Sequence, residues 1–86
     1  MFEKQKYKTE YLNKLIRMTK EELYNETRRN IKLCILTQNK KKENVMAQWK
    51  FNSCRNEWLN RHDKNGYEKA CEDEHNFRFG NKAVIE

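Results

Sequence analysis

The sequence predicts an all-α fold, a small bundle of three to four helices with an extended C-terminal tail. Three observations lead to this prediction. The 86-residue chain contains no proline, and its two glycines lie after position 65, so the strongest helix breakers are missing from the first 65 positions. Apolar residues recur at spacings of three and four. Aromatic residues make up 12% of the chain, which favours a folded core over disorder.

The first predicted helix carries one apolar face and ends before Thr19. Residues at spacings of three and four line up along one side of a helix. The face consists of Tyr7, Tyr11, Leu15 and Met18, widened by Leu12 and Ile16. It predicts a helix that packs on the core.

A capping box marks the start of the second helix. Thr19 can accept from an early backbone N–H, while Glu22 reaches back to the N-cap. The apolar stripe that follows is Leu23, Thr27, Ile31, Cys34, Ile35 and Gln38. It ends near Asn39, and the three lysines that come next form either a turn or a solvated stretch of one long helix. Periodicity does not separate these two alternatives.

The third predicted helix, residues 43–62, is apolar on two sides. One arc contains Val45, Met46 and Trp49, and the other contains Ala47, Phe51, Cys54 and Trp58. A helix with two apolar arcs needs two neighbours. These are either the first two helices, or one of them and a second copy of the chain. The thin core expected of so short a chain makes us expect a homo-oligomer.

Asp63 to Gly66 are interpreted as a helix stop, with Gly66 in the left-handed conformation that ends helices. Residues 67–76 then form a short helix. The tail, residues 77–86, has mild strand character and either packs as an extended arm or frays. All 86 residues are expected to form a single small domain, with a mobile tail at 77–86.

Positive charge is concentrated in one half of the chain. Residues 1–42 hold twelve of the nineteen Lys and Arg residues and five of the thirteen acids, a net +7, and the remainder sums to −1. The isoelectric point is about 9.3. A cationic surface attracts polyanions through its long-range field and through counterion release. The charge pattern therefore indicates RNA or another nucleic acid as a partner.

Two groups of cations are candidate phosphate contacts. Helical geometry puts the first group on the side of the second helix opposite its apolar stripe, and the second group continues the charge beyond that helix. The residues are Arg28, Arg29 and Lys32, and then Lys40, Lys41 and Lys42. An ordinary solvated face is the alternative interpretation. Lys6, Lys14 and Arg17 can cluster on the first helix.

Aromatic and leucine side chains suggest two further surfaces. Tyr7, Tyr11, Trp49 and Phe51 are candidates for stacking on unpaired bases, although most aromatics at helical spacing belong to the core. Leu33 and Leu36 lie off the main stripe of the second helix. Together with Trp49 and Trp58 they form a candidate protein interface, the basis of the alternative hypothesis.

No residue pattern points to a reaction, a cofactor or a metal. Nucleotide-binding glycine loops, a nucleophile elbow and histidine-pair metal motifs are absent from the sequence. The possible metal ligands Cys54, His62, Cys71 and His75 lack the close pairing of structural zinc sites. Three widely spaced cysteines suit reduced thiols. Because the sequence contains no signal-like or membrane-spanning stretch, we expect a cytoplasmic protein that does not bind membranes. Because it contains no catalytic motif, we expect that it is not an enzyme.

The richness in Lys, Asn, Glu and Tyr, the lack of proline and the short chain resemble the small accessory proteins of T-even-like bacteriophages. The resemblance is one of size and composition over the whole chain, and no functional residue can be carried over by a motif. It implies a protein that binds host enzymes, defence proteins or nucleic acids. One similar group antagonises host toxin ribonucleases, with RNA binding as part of its action.

Two hypotheses follow from the sequence. The first is a helical nucleic-acid-binding protein that counters a host ribonuclease toxin or defence system. The second is an inhibitor or adaptor that captures an acidic host protein without nucleic acid.

Overall fold

Within residues 2–85, whose backbone the computed structural model describes, the chain forms four α-helices; side chains are described for residues 6–78. The helices are α1 (Phe2–Arg17), α2 (Lys20–Leu36), α3 (Lys41–Asn60) and α4 (Lys64–Ile85). α2 packs against both α3 and α4, and α1 packs against α3. The predicted all-α bundle is confirmed, with four helices.

The core forms where α1, α2 and α3 meet. Its buried members are Tyr11, Leu15, Leu23, Cys54 and Trp58. The Trp58 indole Nε1 donates to the hydroxyl of Thr27 at 2.9 Å, and that hydroxyl donates to the Leu23 carbonyl at 2.7 Å. The polar tip of the largest core side chain is therefore satisfied inside the bundle.

The two apolar arcs of α3 both find neighbours within the chain. α3 packs against α1, α2 and α4. On one side, the Trp49 ring lies 5.7 Å from Tyr11 of α1; on another, the Phe51 ring lies 5.9 Å from Tyr67 of α4. Val45, with 61% of its surface exposed, is the member of the first arc that these contacts leave in solvent.

The junction between α1 and α2 is fixed by two sets of hydrogen bonds. The predicted capping box is present: the Glu22 N–H donates to the Thr19 hydroxyl at 3.1 Å, and the Thr19 N–H donates to Glu22 Oε1 at 2.8 Å. From α3, Arg61 donates to the carbonyls of Leu15 and Met18 at 2.8 and 2.7 Å. The Leu15 carbonyl also accepts from the Met18 N–H at 3.1 Å. The Arg61 cation, at the C-cap of α3, thus adds a second partner to the Leu15 carbonyl and supplies one to the Met18 carbonyl.

A turn over Thr37–Lys40 separates α2 from α3, which resolves the two alternatives left by the sequence. The Asn44 amide donates to the Cys34 carbonyl at 2.9 Å and to the Thr37 hydroxyl at 3.3 Å. These bonds tie the end of α2 to the first turn of α3. Lys40 is the N-cap of α3, and Lys41 and Lys42 are its first residues.

The expected helix stop exists, but it is built differently. His62, not Gly66, has the left-handed conformation, with φ 56°. The N–H of Asp63 bonds the Trp58 carbonyl and the N–H of His62 bonds the Leu59 carbonyl, a Schellman ending for α3. The Asp63 carboxylate then accepts from the Gly66 N–H at 3.0 Å at the start of α4.

Gly66 therefore lies inside α4, and its small size has another reason. A Cβ built on it would lie 2.4 Å from Cζ3 of Trp58. The prediction of a left-handed Gly66 is wrong because the glycine serves the close approach of α4 to the indole.

The predicted extended tail is also wrong. α4 continues as one helix through Ile85, where the sequence suggested a helix over 67–76 and strand character beyond it. The last residue of the tail, Glu86, lies outside the described residues.

Candidate nucleic-acid interface

A cleft of about 280 Å³ opens between α1 and α2, and Lys50 of α3 also lines it. It is lined by Tyr7, Glu10, Tyr11, Lys14, Glu26, Arg29, Asn30, Leu33 and Lys50. The buried residues Tyr11 and Asn30 form its floor, and the exposed residues Glu10, Lys14 and Arg29 form its rim. Three cations and two carboxylates line this α1–α2 cleft, so its formal charge is +1.

Lysine side chains lie over aromatic rings where α1 meets α3, in and beside the cleft. The rings of Tyr7 and Tyr11, one helical turn apart, are nearly parallel, with centroids 6.5 Å apart. Lys50 Nζ lies 5.4 Å from both centroids. Lys8 Nζ lies 5.3 Å from the Trp49 ring. Cations at these distances are attracted by the ring faces, which keeps positive charge beside the aromatic surface.

Of these rings, Tyr7 is the one most available to a ligand. Its exposed fraction is 40%, whereas that of Tyr11 is 7%. Trp49 is half-buried. Tyr7 is therefore the aromatic ring of the cleft that a base can reach, and the buried Tyr11 supports it from within the bundle.

The floor of the cleft is a hydrogen-bonded cluster. Tyr11 donates its hydroxyl proton to Glu26 Oε2 at 2.6 Å and accepts from Asn30 Nδ2 at 2.9 Å. Asn30 Nδ2 also lies 3.2 Å from the sulfur of Cys54. Burial, reinforced by the bond to Glu26, raises the pKa of Tyr11 well above its ordinary value, so the phenol stays protonated and remains a donor.

The cleft continues along α3 toward the α2–α3 turn. A second depression of about 260 Å³ is lined by Leu33, Thr37, Glu43, Met46, Ala47 and Lys50. The two depressions share the lining residues Leu33 and Lys50, so they adjoin each other, and we refer to the pair as the groove. Lys42, Met46 and Lys50 are spaced four residues apart and lie on one side of α3. The groove thus leads from Tyr7 toward the lysines at the start of α3, with Lys42 about 12 Å along the helix from Lys50.

The structure brings some of the predicted site residues together. Arg29 and Leu33 line the α1–α2 cleft, and Lys40, Lys41 and Lys42 are exposed at the turn beyond its far end. Lys32 is exposed on α2. None of these five cations forms an ion pair with another residue of the described stretch 6–78. They keep their charge available to an anionic ligand.

Arg28 does not belong to this surface, which corrects the prediction of a phosphate contact. Its Nε donates to Glu74 Oε1 of α4 at 3.0 Å, and its Nη1 donates to the Tyr24 hydroxyl at 3.1 Å. Glu74 is buried and also accepts from Arg78 at 2.9 Å. The prediction failed because α4 covers the side of α2 that the helical spacing left open to solvent.

Trp58, a predicted member of the candidate protein interface, lies in the core instead of on the surface. Its exposed fraction is 0%, and its indole N–H is bonded inside the core. Trp49 is half-buried beside Tyr11, and Leu33 lies within the groove. Leu36, with 61% of its surface exposed, is the member of the proposed interface that stands most clearly in solvent.

Four residues of the cleft were not singled out by the sequence: Glu10, Glu26, Asn30 and Lys50. Lys50 lies between Trp49 and Phe51, and a cation flanked by aromatics is a pattern that could have drawn attention to it. Asn30 carries no such signal, because a polar residue between Arg29 and Ile31 is expected to face solvent. Its burial depends on contacts between helices, because its amide meets Tyr11 of α1 and Cys54 of α3.

The described residues hold no cluster of three or more metal-ligating side chains. Cys34, Cys54 and Cys71 are free thiols, and burial raises the pKa of each. In the same part of the chain, the helices are too polar or too short to cross a membrane.

Comparisons with protein-family models, with curated proteins and with solved structures found no match.

Proposed function

We propose that this protein binds single-stranded nucleic acid, with RNA as the first candidate, in the groove that begins at the α1–α2 cleft. The observation that carries the proposal is the placement of Lys50 beside Tyr7 and Tyr11, with Lys14 and Arg29 on the rim of the same cleft. Single-strand-binding proteins combine a cationic groove with aromatic faces on which bases stack. The protein acts by binding, and no reaction is assigned to it.

Phosphates are the expected ligands of the cations. Lys14, Arg29 and Lys50 come from three different helices and converge on one cleft. Arg29 can present a bidentate fork to a phosphate, and the lysines act as point charges. The exposed lysines at the start of α3 extend the positive path toward a following phosphate.

The bases are expected at Tyr7 and Trp49. Base stacking on aromatic side chains requires unpaired bases, because the faces of paired bases are occupied within a duplex. A cleft between two helices suits a flexible strand better than a rigid double helix. These features favour single-stranded over duplex ligands.

The biological effect follows from the resemblance to phage accessory proteins. Bound RNA would be the route by which the protein counters a host ribonuclease toxin or defence system, in the host cytoplasm. Addition of purified protein is expected to slow cleavage of a single-stranded RNA by a ribonuclease. Unchanged cleavage at saturating protein would contradict this part of the proposal.

Fluorescence anisotropy with labelled 12-nucleotide RNA and duplex DNA, across a salt series, tests the binding itself. Nuclease-treated protein should bind the RNA at about 0.15 M salt, and its affinity should fall steeply as salt is added. Lys50→Gln should weaken binding and lower the salt slope by about 0.7, the value for one lost phosphate contact on a single strand. The matched control is Lys64→Gln, an exposed lysine on α4. Negligible binding of the wild type to both ligands would overturn the proposal.

A second candidate function is capture of an acidic host protein. It is favoured by exposed apolar residues beside positive charge: Leu36 and Val45, each with 61% of its surface exposed, flank the turn that carries Lys40, Lys41 and Lys42. Exposed apolar side chains rimmed by charge are typical of protein interfaces. Leu36→Ser with Val45→Ser should abolish capture of one partner from nuclease-treated host lysate and leave RNA binding intact. Capture that disappears on nuclease treatment would contradict it.

A further inference from the structure

The floor of the α1–α2 cleft contains an unsatisfied hydrogen-bond acceptor. Asn30 lines the cleft with 1% of its surface exposed. Among the described residues, its Oδ1 is the buried side-chain polar atom without a hydrogen-bond partner. An unpaired buried acceptor lowers stability, because desolvation is not compensated by a hydrogen bond. A ligand group that donates to this oxygen would remove that cost.

The orientation of the Asn30 amide is fixed by its neighbours. The Tyr11 hydroxyl donates its only proton to Glu26 at 2.6 Å. The Asn30 atom 2.9 Å from the Tyr11 oxygen must therefore be a donor, which identifies it as Nδ2. The opposite end of the amide is then the carbonyl oxygen, an acceptor.

A second acceptor lies in the same cleft. The half-buried Glu26 carboxylate lines it and receives the Tyr11 proton through Oε2. A carboxylate offers about four lone-pair sites, so one bond leaves capacity for another donor. Asn30 and Glu26 thus provide hydrogen-bond acceptors in the cleft. The cations that line the same cleft are Lys14, Arg29 and Lys50.

We propose that the α1–α2 cleft is a pocket for one nucleobase that carries an exocyclic amino group: adenine, cytosine or guanine. The amino group donates to Asn30 Oδ1, the ring packs between Tyr7 and Leu33, and the flanking phosphates meet Lys14, Arg29 and Lys50. The volume of about 280 Å³ lies at the lower end of ligand pockets and suits one base. This inference rests on the proposed single-strand binding and adds base preference to it.

Uracil and thymine fit this floor less well. They present a carbonyl oxygen where cytosine presents its amino group. A carbonyl facing Asn30 Oδ1 would oppose two acceptors, so uracil and thymine could donate to this oxygen only through the N3–H that lies between their two carbonyls. The pocket therefore discriminates by hydrogen bonding and not by stacking, since every base has a face that can stack on Tyr7.

The test compares 12-nucleotide RNAs of adenosine, of uridine and of purine riboside, which has the adenine ring without its amino group. The adenosine oligomer should bind roughly 3- to 10-fold more tightly than the purine riboside oligomer, the loss expected for one neutral hydrogen bond. Equal affinity of these two oligomers would overturn the pocket while leaving single-strand binding intact. No binding of any oligomer would overturn the proposed function instead, and the pocket with it.

A substitution at Asn30 tests whether this residue is the source of the base preference. Asn30→Leu should remove the preference for adenosine over purine riboside, whereas Asn25→Leu, at an exposed position of α2, should retain it. A folded Asn30→Leu protein that keeps the full preference would contradict the assignment. If Asn30→Leu does not fold, the comparison of oligomers on the wild-type protein decides the question alone.

Discussion

Lys50 Nζ lies 5.4 Å from the ring centroid of Tyr7, joining α3 to α1 across the entrance of the α1–α2 cleft. The cation is held beside the ring face by attraction to the π system. In this position, Lys50 can meet a phosphate while Tyr7 receives the adjoining base. A lysine or a tyrosine alone is ordinary on a helix surface. The placement of Lys50 beside the Tyr7 ring is what distinguishes this surface from an ordinary helix face.

Removal of the Tyr7 ring should weaken binding of single-stranded RNA. Stacking of one base on an aromatic residue contributes about 1–3 kcal/mol, so Tyr7→Ala should raise the Kd by roughly 5- to 150-fold. Tyr7→Phe keeps the ring and should bind within about 2-fold of the wild type, because no hydrogen bond of the hydroxyl is involved. Fluorescence anisotropy measures both variants. Equal affinity of Tyr7→Ala and Tyr7→Phe would exclude stacking at this site.

The neighbours Arg28 and Arg29 should have opposite roles. Arg28 is bonded to Glu74 and Tyr24, and hydrogen bonds to charged groups contribute about 1.5–3 kcal/mol, so Arg28→Gln should lower the free energy of unfolding by about that amount. The bond from Arg78 to Glu74 limits the loss. Arg29→Gln should leave stability within about 0.5 kcal/mol, the usual range for an exposed position.

RNA binding should show the reverse order. Folded Arg28→Gln should bind like the wild type, whereas Arg29→Gln should bind more weakly and lower the salt slope by about 0.7. Urea unfolding and anisotropy on the same preparations separate the two effects. If Arg28→Gln reduces affinity more than Arg29→Gln, the basic surface faces α4 and not the cleft.

The lysines at the start of α3 should contribute charge without base preference. Lys41→Gln with Lys42→Gln should weaken binding to all single strands alike and lower the salt slope by up to about 1.4, for two lost phosphate contacts. The control, Lys64→Gln with Lys69→Gln on α4, removes the same net charge. Equal slopes for the two double variants would mean that the strand does not reach the α2–α3 turn.

Gly66→Ala should destabilise the fold. The new Cβ would lie 2.4 Å from Cζ3 and 2.8 Å from Cε3 of Trp58, so α4 must move away from the indole. Overpacking of this kind costs typically about 1–3 kcal/mol, which exceeds the gain in helix propensity. The neighbouring exposed Asn65→Ala serves as control. A melting temperature of Gly66→Ala equal to or above that of the wild type would contradict the packing described for α4.

The thiols should differ in reactivity. Burial raises the pKa of Cys54, and its exposed fraction is 0%, so little thiolate is present and none is accessible at pH 8. Cys34 and Cys71 are half-buried and should react first with Ellman's reagent. Cys54 should react at the rate of unfolding, and faster in urea. Immediate reaction of all three thiols in the native protein would contradict the burial of Cys54 in the core.

Much of the fold could be predicted from local sequence. The capping box at Thr19 and the apolar spacing of α1 and α2 depend on neighbours within a few residues. The left-handed position could not be predicted, because His62 adopts it only as part of an ending that includes Asp63 and Trp58. The length of α4 was underestimated because its last residues have strand-like composition.

The candidate site was predictable only in part. Net charge and the tyrosines of α1 predict a nucleic-acid ligand, and the sequence also singles out Arg29 and Leu33, which line the cleft. Whether an arginine faces solvent or a partner helix depends on packing between helices, so Arg28 and Arg29 could not be told apart. The burial of Asn30 likewise depends on packing between helices, through its contacts with Tyr11 of α1 and Cys54 of α3.

Nuclear magnetic resonance of the two tryptophan indoles tests the central claim most directly. Trp49 of α3 packs against Tyr11, which lines the cleft, and lies beside Lys8, whereas Trp58 is fully buried and bonded to Thr27. Titration with a 12-nucleotide adenosine RNA should shift the Trp49 indole N–H signal, together with the backbone amides of Tyr7, Arg29 and Lys50, and leave the Trp58 indole signal in place. Binding that shifts the signals of α4 and leaves Trp49 unchanged would show that the nucleic acid lies elsewhere.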